Sequence, residues 1–164
     1  METINGRLHI GLKDDLSING NETLEAYVTA DSLTYFKIGA ESQVKIENTL
    51  DQENTEFCLS GESKLEGSIE VEKVIVSLSG ESQLDLSGAA GQVVATLTGE
   101  SQLQDYGLTV TDLLIDMSGE SKTYLTVDGT IDVKASGDSM LHYKGDGVIS
   151  NQELSGDSKI KQED

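Results

Sequence analysis

The chain has no proline, no tryptophan and a single cysteine among 164 residues. One cysteine rules out an internal disulfide and a multi-cysteine metal site, and leaves Cys58 as a small buried or half-buried hydrophobe. The lack of proline removes the residue that interrupts backbone ladders, which suits long runs of strand. Five tyrosines and two phenylalanines are poor material for an aromatic ligand pocket or a sugar platform. Basic residues are also few. Eleven Lys and Arg face thirty Asp and Glu, a net charge of -19, and Arg7 is the lone arginine. Such a surface repels nucleic acid and anionic membranes, which need clustered positive charge. No apolar run approaches the roughly 20 residues of a membrane helix. The start, Met1-Glu2-Thr3-Ile4, has neither the basic nor the apolar region of a signal peptide.

What is present is a repeat. Gly-acid-Ser recurs as Gly61-Glu62-Ser63, Gly80-Glu81-Ser82, Gly99-Glu100-Ser101, Gly119-Glu120-Ser121, Gly137-Asp138-Ser139 and Gly156-Asp157-Ser158, preceded by Ala40-Glu41-Ser42. The acidic positions 41, 62, 81, 100, 120, 138 and 157 differ by 21, 19, 19, 20, 18 and 19. The flanks have period two, the strand period. Val74, Val76, Leu78, Gly80, Ser82, Leu84 and Leu86 share one parity, and Ser77, Ser79, Glu81, Gln83 and Asp85 the other. The register returns in Val93-Ala95-Leu97 and in Ile131-Val133-Ala135.

A period near nineteen with strand alternation predicts an all-β fold, a single-stranded parallel β-helix (β-solenoid) of about 19 residues per coil, right-handed by the crossover preference. About eight coils at ~4.8 Å give a rod on the order of 40 Å. Residues 1–164 are expected to form one domain, with 1–30 a degenerate N-terminal capping coil or strand pair. There Leu8, Ile10 and Leu12 alternate, followed by Leu16 and Ile18. A longer loop is expected around Asn48 to Thr55, in the 21-residue interval. Leucine-rich repeats, calcium-binding nonapeptides and propeller blades need other cores or periods.

Each motif position has an expected role. Gly61, Gly80, Gly99, Gly119, Gly137 and Gly156 permit a tight bend or close coil approach on the inner face. Ser63, Ser82, Ser101, Ser121, Ser139 and Ser158 point inward, where a hydroxyl can bond the backbone or the serine of the next coil. Glu41, Glu62, Glu81, Glu100, Glu120, Asp138 and Asp157 form an acidic surface column. The next position outward reads Gln43, Lys64, Gln83, Gln102, Lys122, Met140 and Lys159, in which stacked glutamines can share amide hydrogen bonds. Leu78, Leu97, Met117, Ala135 and Leu154 are expected to stack as one buried column.

Catalysis finds little support. Ser-Gly-Glu-Ser lacks the second glycine of a nucleophile elbow, and stacked copies cannot all be active sites. One carboxylate per coil falls short of the six to eight oxygens of a Ca²⁺ site. His9 and His142 read as isolated, exposed residues. Asn21-Glu22-Thr23 matches a glycosylation sequon. No enzyme activity and no cofactor are expected.

The repeats resemble those of the head GIN domain family, the "putative auto-transporter adhesins". Leu78-Ser79-Gly80-Glu81-Ser82 and Met117-Ser118-Gly119-Glu120-Ser121 occupy its recurring I-S-G-S-G motif. Leu141-His142-Tyr143-Lys144-Gly145, followed by Leu154-Ser155-Gly156-Asp157-Ser158, matches its ending. The resemblance spans roughly residues 25 to 164, with Gly-Glu-Ser in place of Gly-Ser-Gly. It implies a β-helix exported to the bacterial periplasm, outer membrane or cell surface, and an adhesin-like role toward a surface protein or glycan. A self-assembling, bactofilin-like polymer is the alternative, which would make the chain a homo-oligomer; the charged tail Lys159 to Asp164 argues against it by blunting the open edge. A polysaccharide-cleaving β-helix enzyme is a lesser one.

Overall fold

The computed structural model describes residues 1–11, 25–104 and 106–164. Leu12, Leu16, Ile18 and the Asn21 sequon lie outside the described residues. The chain falls into two compact units, Met1–Ser32 and Leu33–Asp164. In the first, β1 (Glu2–Ile4) and β2 (Arg7–His9) pair antiparallel, Ile4 opposite Arg7. Asn5 and Gly6 turn the hairpin with φ of 51° and 75°. Two successive positive φ values are what a two-residue hairpin needs, and Asn-Gly is its strongest sequence signal.

The second unit is a β-solenoid of about seven turns, one fewer than the period suggests when it is extended over the whole chain. Its strands are β3 (Tyr35–Ile38), β4 (Gln43–Lys45), β5 (Leu50–Leu59), β6 (Lys64–Leu78), β7 (Gln83–Leu97), β8 (Gln102–Gln104), β9 (Leu108–Met117), β10 (Lys122–Ala135), β11 (Met140–Lys144), β12 (Val148–Leu154) and β13 (Lys159–Gln162). All their pairings are parallel. Coil lies on coil in register, so Leu65, Leu84, Leu103, Thr123, Leu141 and Ile160 form one inward column. Phe57, Val76, Ala95, Ile115 and Val133 form another. Both are buried along the middle of the rod. Each fully buried Leu or Val contributes roughly 1.5–3 kcal/mol, which no coil could gain alone.

The column that precedes the motif runs Leu59, Leu78, Leu97, Met117, Ala135 and Leu154. Its members are buried down to Ala135, whereas Leu154 is 43% exposed. Leu154 keeps the register but belongs to the last coil, so one side of it has no neighbour. The charged tail, read from sequence as an edge-blunting cap, is itself the edge strand β13, paired with β11.

Departures from nineteen sit between strands. Lys45 pairs across 21 residues with Glu66, but Leu50 pairs across 19 with Ile69. The two extra residues therefore fall between Lys45 and Leu50. The stretch expected to be a loop from Asn48 to Thr55 is instead mostly strand, because β5 begins at Leu50.

The motif glycines are not on the inner face. Leu78 and Ser82 point inward, but Gly80 and Glu81 between them form an exposed turn, so strict alternation fails at the corner. Gly80 has φ +74, and an added Cβ would lie 2.8 Å from the Gly61 carbonyl oxygen of the preceding coil. Backbone conformation and coil stacking both exclude a side chain there. The first coil places Ala40 at this corner, with φ 56°.

Two substitutions test the corner. Gly80→Val is expected to lose ~1–3 kcal/mol or more to overpacking, whereas Glu81→Gln, a surface change, stays within about 0.5 kcal/mol in either direction. Ala40→Gly is expected to gain about 0.5–1 kcal/mol, the left-handed penalty of alanine less the entropy cost of glycine. Urea melts read both, and equal losses at Gly80 and Glu81 contradict the corner geometry.

Candidate functional site

The corner is a continuous ladder. The amide of Glu81 donates to the Gly61 carbonyl at 2.9 Å, that of Glu100 to Gly80 at 2.9 Å, that of Glu120 to Gly99 at 2.9 Å and that of Asp138 to Gly119 at 2.8 Å. With the backbone held this way, Glu41, Glu62, Glu81, Glu100, Glu120, Asp138 and Asp157 all stand exposed along one edge. None of the seven has an ion-pair partner among the described residues. Among those residues, no three His, Cys, Asp or Glu side chains converge as a metal would require.

Behind the corner, Ser63, Ser82, Ser101, Ser121 and Ser139 are sealed inside the solenoid. Ser82 reaches the Leu59 carbonyl at 3.5 Å, and Ser139 donates to the Ser136 carbonyl at 2.9 Å. Ser158, in the last coil, is half-buried and donates to the Ser155 carbonyl at 2.9 Å. Ser101, Ser121 and Thr123 are buried without a hydrogen-bond partner among the described residues. The buried hydroxyls are sealed from solvent, and among the described residues no bond from one coil's motif serine to the next coil's forms the column. Cys58 is half-buried on the outer surface, where its thiol donates to Glu56 at 3.4 Å. Burial, with help from the Glu56 carboxylate, pushes that thiol's pKa up.

The outward faces carry further columns. Gln83 donates to Gln104 at 2.8 Å, and Gln104 donates in turn to Gln102. The amides are thus linked diagonally through Gln104 rather than directly up the column. On another face Ile75, Val94 and Leu114 stand in register, with Ile75 and Leu114 exposed.

The richest face is one that single residues do not announce. Tyr124 and His142 are paired in register across β10 and β11. Their rings stack with centroids 4.9 Å apart, and Tyr106 meets Tyr124 edge-on at 5.8 Å. The Lys144 ammonium lies 5.0 Å from the Tyr106 centroid. His142 is therefore neither isolated nor exposed: its side chain is 19% accessible and its Nδ1 lies 2.7 Å from Glu163. His9, by contrast, is exposed in β2. The spacing 106, 124, 142 is a sequence signal for this ladder, two steps of 18. Hydrogen bonds from His142 and Lys161 hold the Glu163 carboxyl below the ordinary value of 4.5. Burial, then the Glu163 charge, raises the Tyr106 phenol.

The comparisons agree with this architecture. A family model described as "Putative auto-transporter adhesin, head GIN domain" matches residues 1–147. That range begins earlier than the motif resemblance and stops before the last Gly-acid-Ser. The crystal structure of a putative adhesin from Parabacteroides merdae superposes with a TM-score of 0.71 at 16% identity, covering 81% of this chain and 57% of that one. The present chain thus spans little more than half the length of that protein, and the likeness establishes the fold. No curated protein matches the chain.

Two measurements probe these faces. A depressed Glu163 pKa contributes stability that is present above the unfolded-state value and lost as pH falls through the folded one. The melting difference between wild type and Glu163→Gln should therefore be largest near neutrality and vanish in acid; a difference that persists below pH 3 contradicts the pairing. In the acidic column, like charges ~4.8 Å apart repel by about 1 kcal/mol in water, less with salt. Added NaCl at neutral pH should raise the melting temperature, and Glu81→Gln should stabilise in low salt with a gain that shrinks in high salt. Salt-independent melting contradicts a like-charge ladder.

Proposed function

The chain belongs to the head GIN domain family of putative auto-transporter adhesins, and on that premise we propose that it is a non-catalytic adhesive module of the bacterial envelope, binding through its flat, repetitive outer faces. The observation that carries the reading is the in-register stacking of outward side chains. Every outer face is a set of columns, a surface made for extended partners rather than for a small substrate. Two surface depressions among the described residues, beside Lys45 and Glu66 and beside Gln52 and Lys73, are open, whereas small-molecule sites are concave and enclosing. The motif serines, which would be the candidate nucleophiles, are buried or bonded to backbone. One domain for the whole chain, exported to the periplasm, outer membrane or cell surface, completes the proposal.

End-to-end polymerisation is the second reading, favoured by one observation. In the terminal coil Val148 is 65% and Leu154 43% exposed beside an unpaired strand edge. The edge also carries Lys159 and Lys161, and edge lysines oppose strand addition.

The test combines adhesion with particle size. Beads coated with the chain are expected to retain bacterial or host cells, while the free protein sediments as a discrete particle at micromolar concentration. Filaments by electron microscopy together with bare beads refute the adhesive reading in favour of the polymer. Shortening of acidic glycans on incubation with the protein refutes its non-catalytic part.

A further inference from the structure

We propose that the outer face carrying Ile75, Val94 and Leu114 is a docking surface for a second copy of this chain, packed face to face with the two rods antiparallel. The proposal stands apart from the adhesive reading, since it concerns how two rods join and not what they bind.

The face is apolar at its middle and poor in charge. Across the central coils β6, β7 and β9, the outward rows are Ser77-Thr96-Asp116, Ile75-Val94-Leu114 and Lys73-Gln92-Asp112. Short side chains flank the apolar row and leave Ile75 and Leu114 exposed. Lys73, Asp112 and Asp116 are the charged members of these rows, a near balance on a chain of net charge -19. Two such chains repel over their acidic surfaces and can approach only where charge is sparse. The area suffices as well. About seven coils at ~4.8 Å, and about seven strand residues at ~3.3 Å, give a face of roughly 800 Å². That is about what each partner buries in a standard-size interface.

Charge complementarity selects the occupant and its orientation. A two-fold axis along β7 sets each coil against the coil equally far from β7 on the other side. Ile75 then meets the second copy's Leu114, and Val94 meets its own counterpart. Lys73 meets Asp112 in the same way, and Lys37, at the start of the Cys58-Ser77-Thr96 row, meets Glu153 at its end. Each contact forms twice. Among the described residues, neither Lys73 nor Lys37 has a carboxylate of its own chain within 4.0 Å. Asp116 meets the Ser77 hydroxyl. Glu56 and Asp132 are like charges that meet, but Glu56 accepts the Cys58 thiol hydrogen, and Cys58 is the position that Lys134 meets. The alternative two-fold, along the rod, would set Asp116 against Asp112 and Lys73 against Ser77, so the pairs are lost. Shape agrees with the antiparallel choice. A shallow depression beside Ile75, bounded by Asn54, Glu56 and Lys73, lies where the second copy's exposed Leu114 arrives.

Analytical ultracentrifugation of the full chain tests the pairing, at about 0.15 M NaCl, where the Debye length is ~8 Å and repulsion between the acidic edges is screened. At micromolar concentration the particle should have twice the 17.6 kDa mass of the chain and should dissociate on dilution. Lys73→Asp and Asp112→Lys should each weaken the dimer by roughly tenfold or more, since each sets like charges across the interface. An equimolar mixture of the two variants should dimerise as tightly as wild type, because the mixed pair regains both opposite-charge contacts. A variant that merely failed to fold would not recover on mixing. Lys122→Gln, on another face, should leave the dimer unchanged. A monomer at every concentration, a dimer indifferent to both charge reversals or sensitive to Lys122→Gln, or a mixture as weak as its components overturns the proposal. Filaments that persist in the Lys73→Asp variant overturn it in favour of end-to-end assembly.

Discussion

The structure depends on one interaction, the parallel backbone ladder that runs from coil to coil and does not stop at the corner. In most sheets the turns break the ladder. Here the amide after each motif glycine donates to the carbonyl of the corner residue one coil earlier, Ala40 for the first and a glycine for the rest, so even the exposed bend is hydrogen-bonded along the rod axis. A ladder closed at the corner fixes the register of the strands on both sides of it. Once register is fixed, each position of the repeat becomes a column, and its chemistry is set by what can stand next to a copy of itself every ~4.8 Å. Leucine and valine stack well, small hydroxyls are tolerated, glycine is required at the bend, and like charges are accepted only on the solvated edge.

The same constraint accounts for the costs the fold carries. A buried hydroxyl without a partner is unfavourable by roughly 1–3 kcal/mol, yet Ser101, Ser121 and Thr123 occupy such positions. Serine is small enough to sit behind a corner where two backbones approach, and its column neighbours reach a carbonyl only at long distance or within their own corner. The positive φ of Ala40 is a cost of the same kind. The serine and alanine costs are imposed by a corner whose geometry the neighbouring coils dictate, Thr123 carries its cost within the inward column of β10, and the core columns outweigh them.

The fold was largely legible in the sequence because two periods coincide. Alternation of period two marks strands, and a return near nineteen marks coils, as in Val74-Val76-Leu78 against Val93-Ala95-Leu97. Parity, extended through the motif, put the glycines on the wrong side. It holds only while the chain is extended, and Gly80-Glu81 is a turn. Leu154 shows a second limit. Its register is visible in the sequence, but its exposure depends on having no coil beyond it, which alternation does not encode. The columns of the outer faces were only partly legible. The repeated carboxylates could be read because they belong to the motif. The Tyr106, Tyr124 and His142 ladder uses three residue positions outside it, and a scarcity of aromatics across the whole chain says nothing about how the fold gathers the few there are.

That ladder forms where the repeat slips. Lys122 and Thr123 pair with Gln102 and Leu103 across 20 residues, whereas Thr126 pairs with Thr109 across 17. The three-residue difference is extra chain in β8's coil, and it includes the Tyr106-Gly107 turn. Continuing the strand register would set Gln104, not Tyr106, opposite Tyr124. Tyr106 reaches Tyr124 from the turn instead, which is why the two rings meet at 84° while Tyr124 and His142, paired strand to strand, lie at 19°. Thr126 fastens the turn by donating its hydroxyl to the Tyr106 carbonyl at 2.7 Å. A perfectly periodic solenoid can present only what its repeat contains, copied along the rod. Distinct chemistry at one place requires a departure from the period, and the ladder tolerates one only between strands, where register can be lost and regained. The irregular corner of this coil is therefore where the rod acquires a face unlike its others.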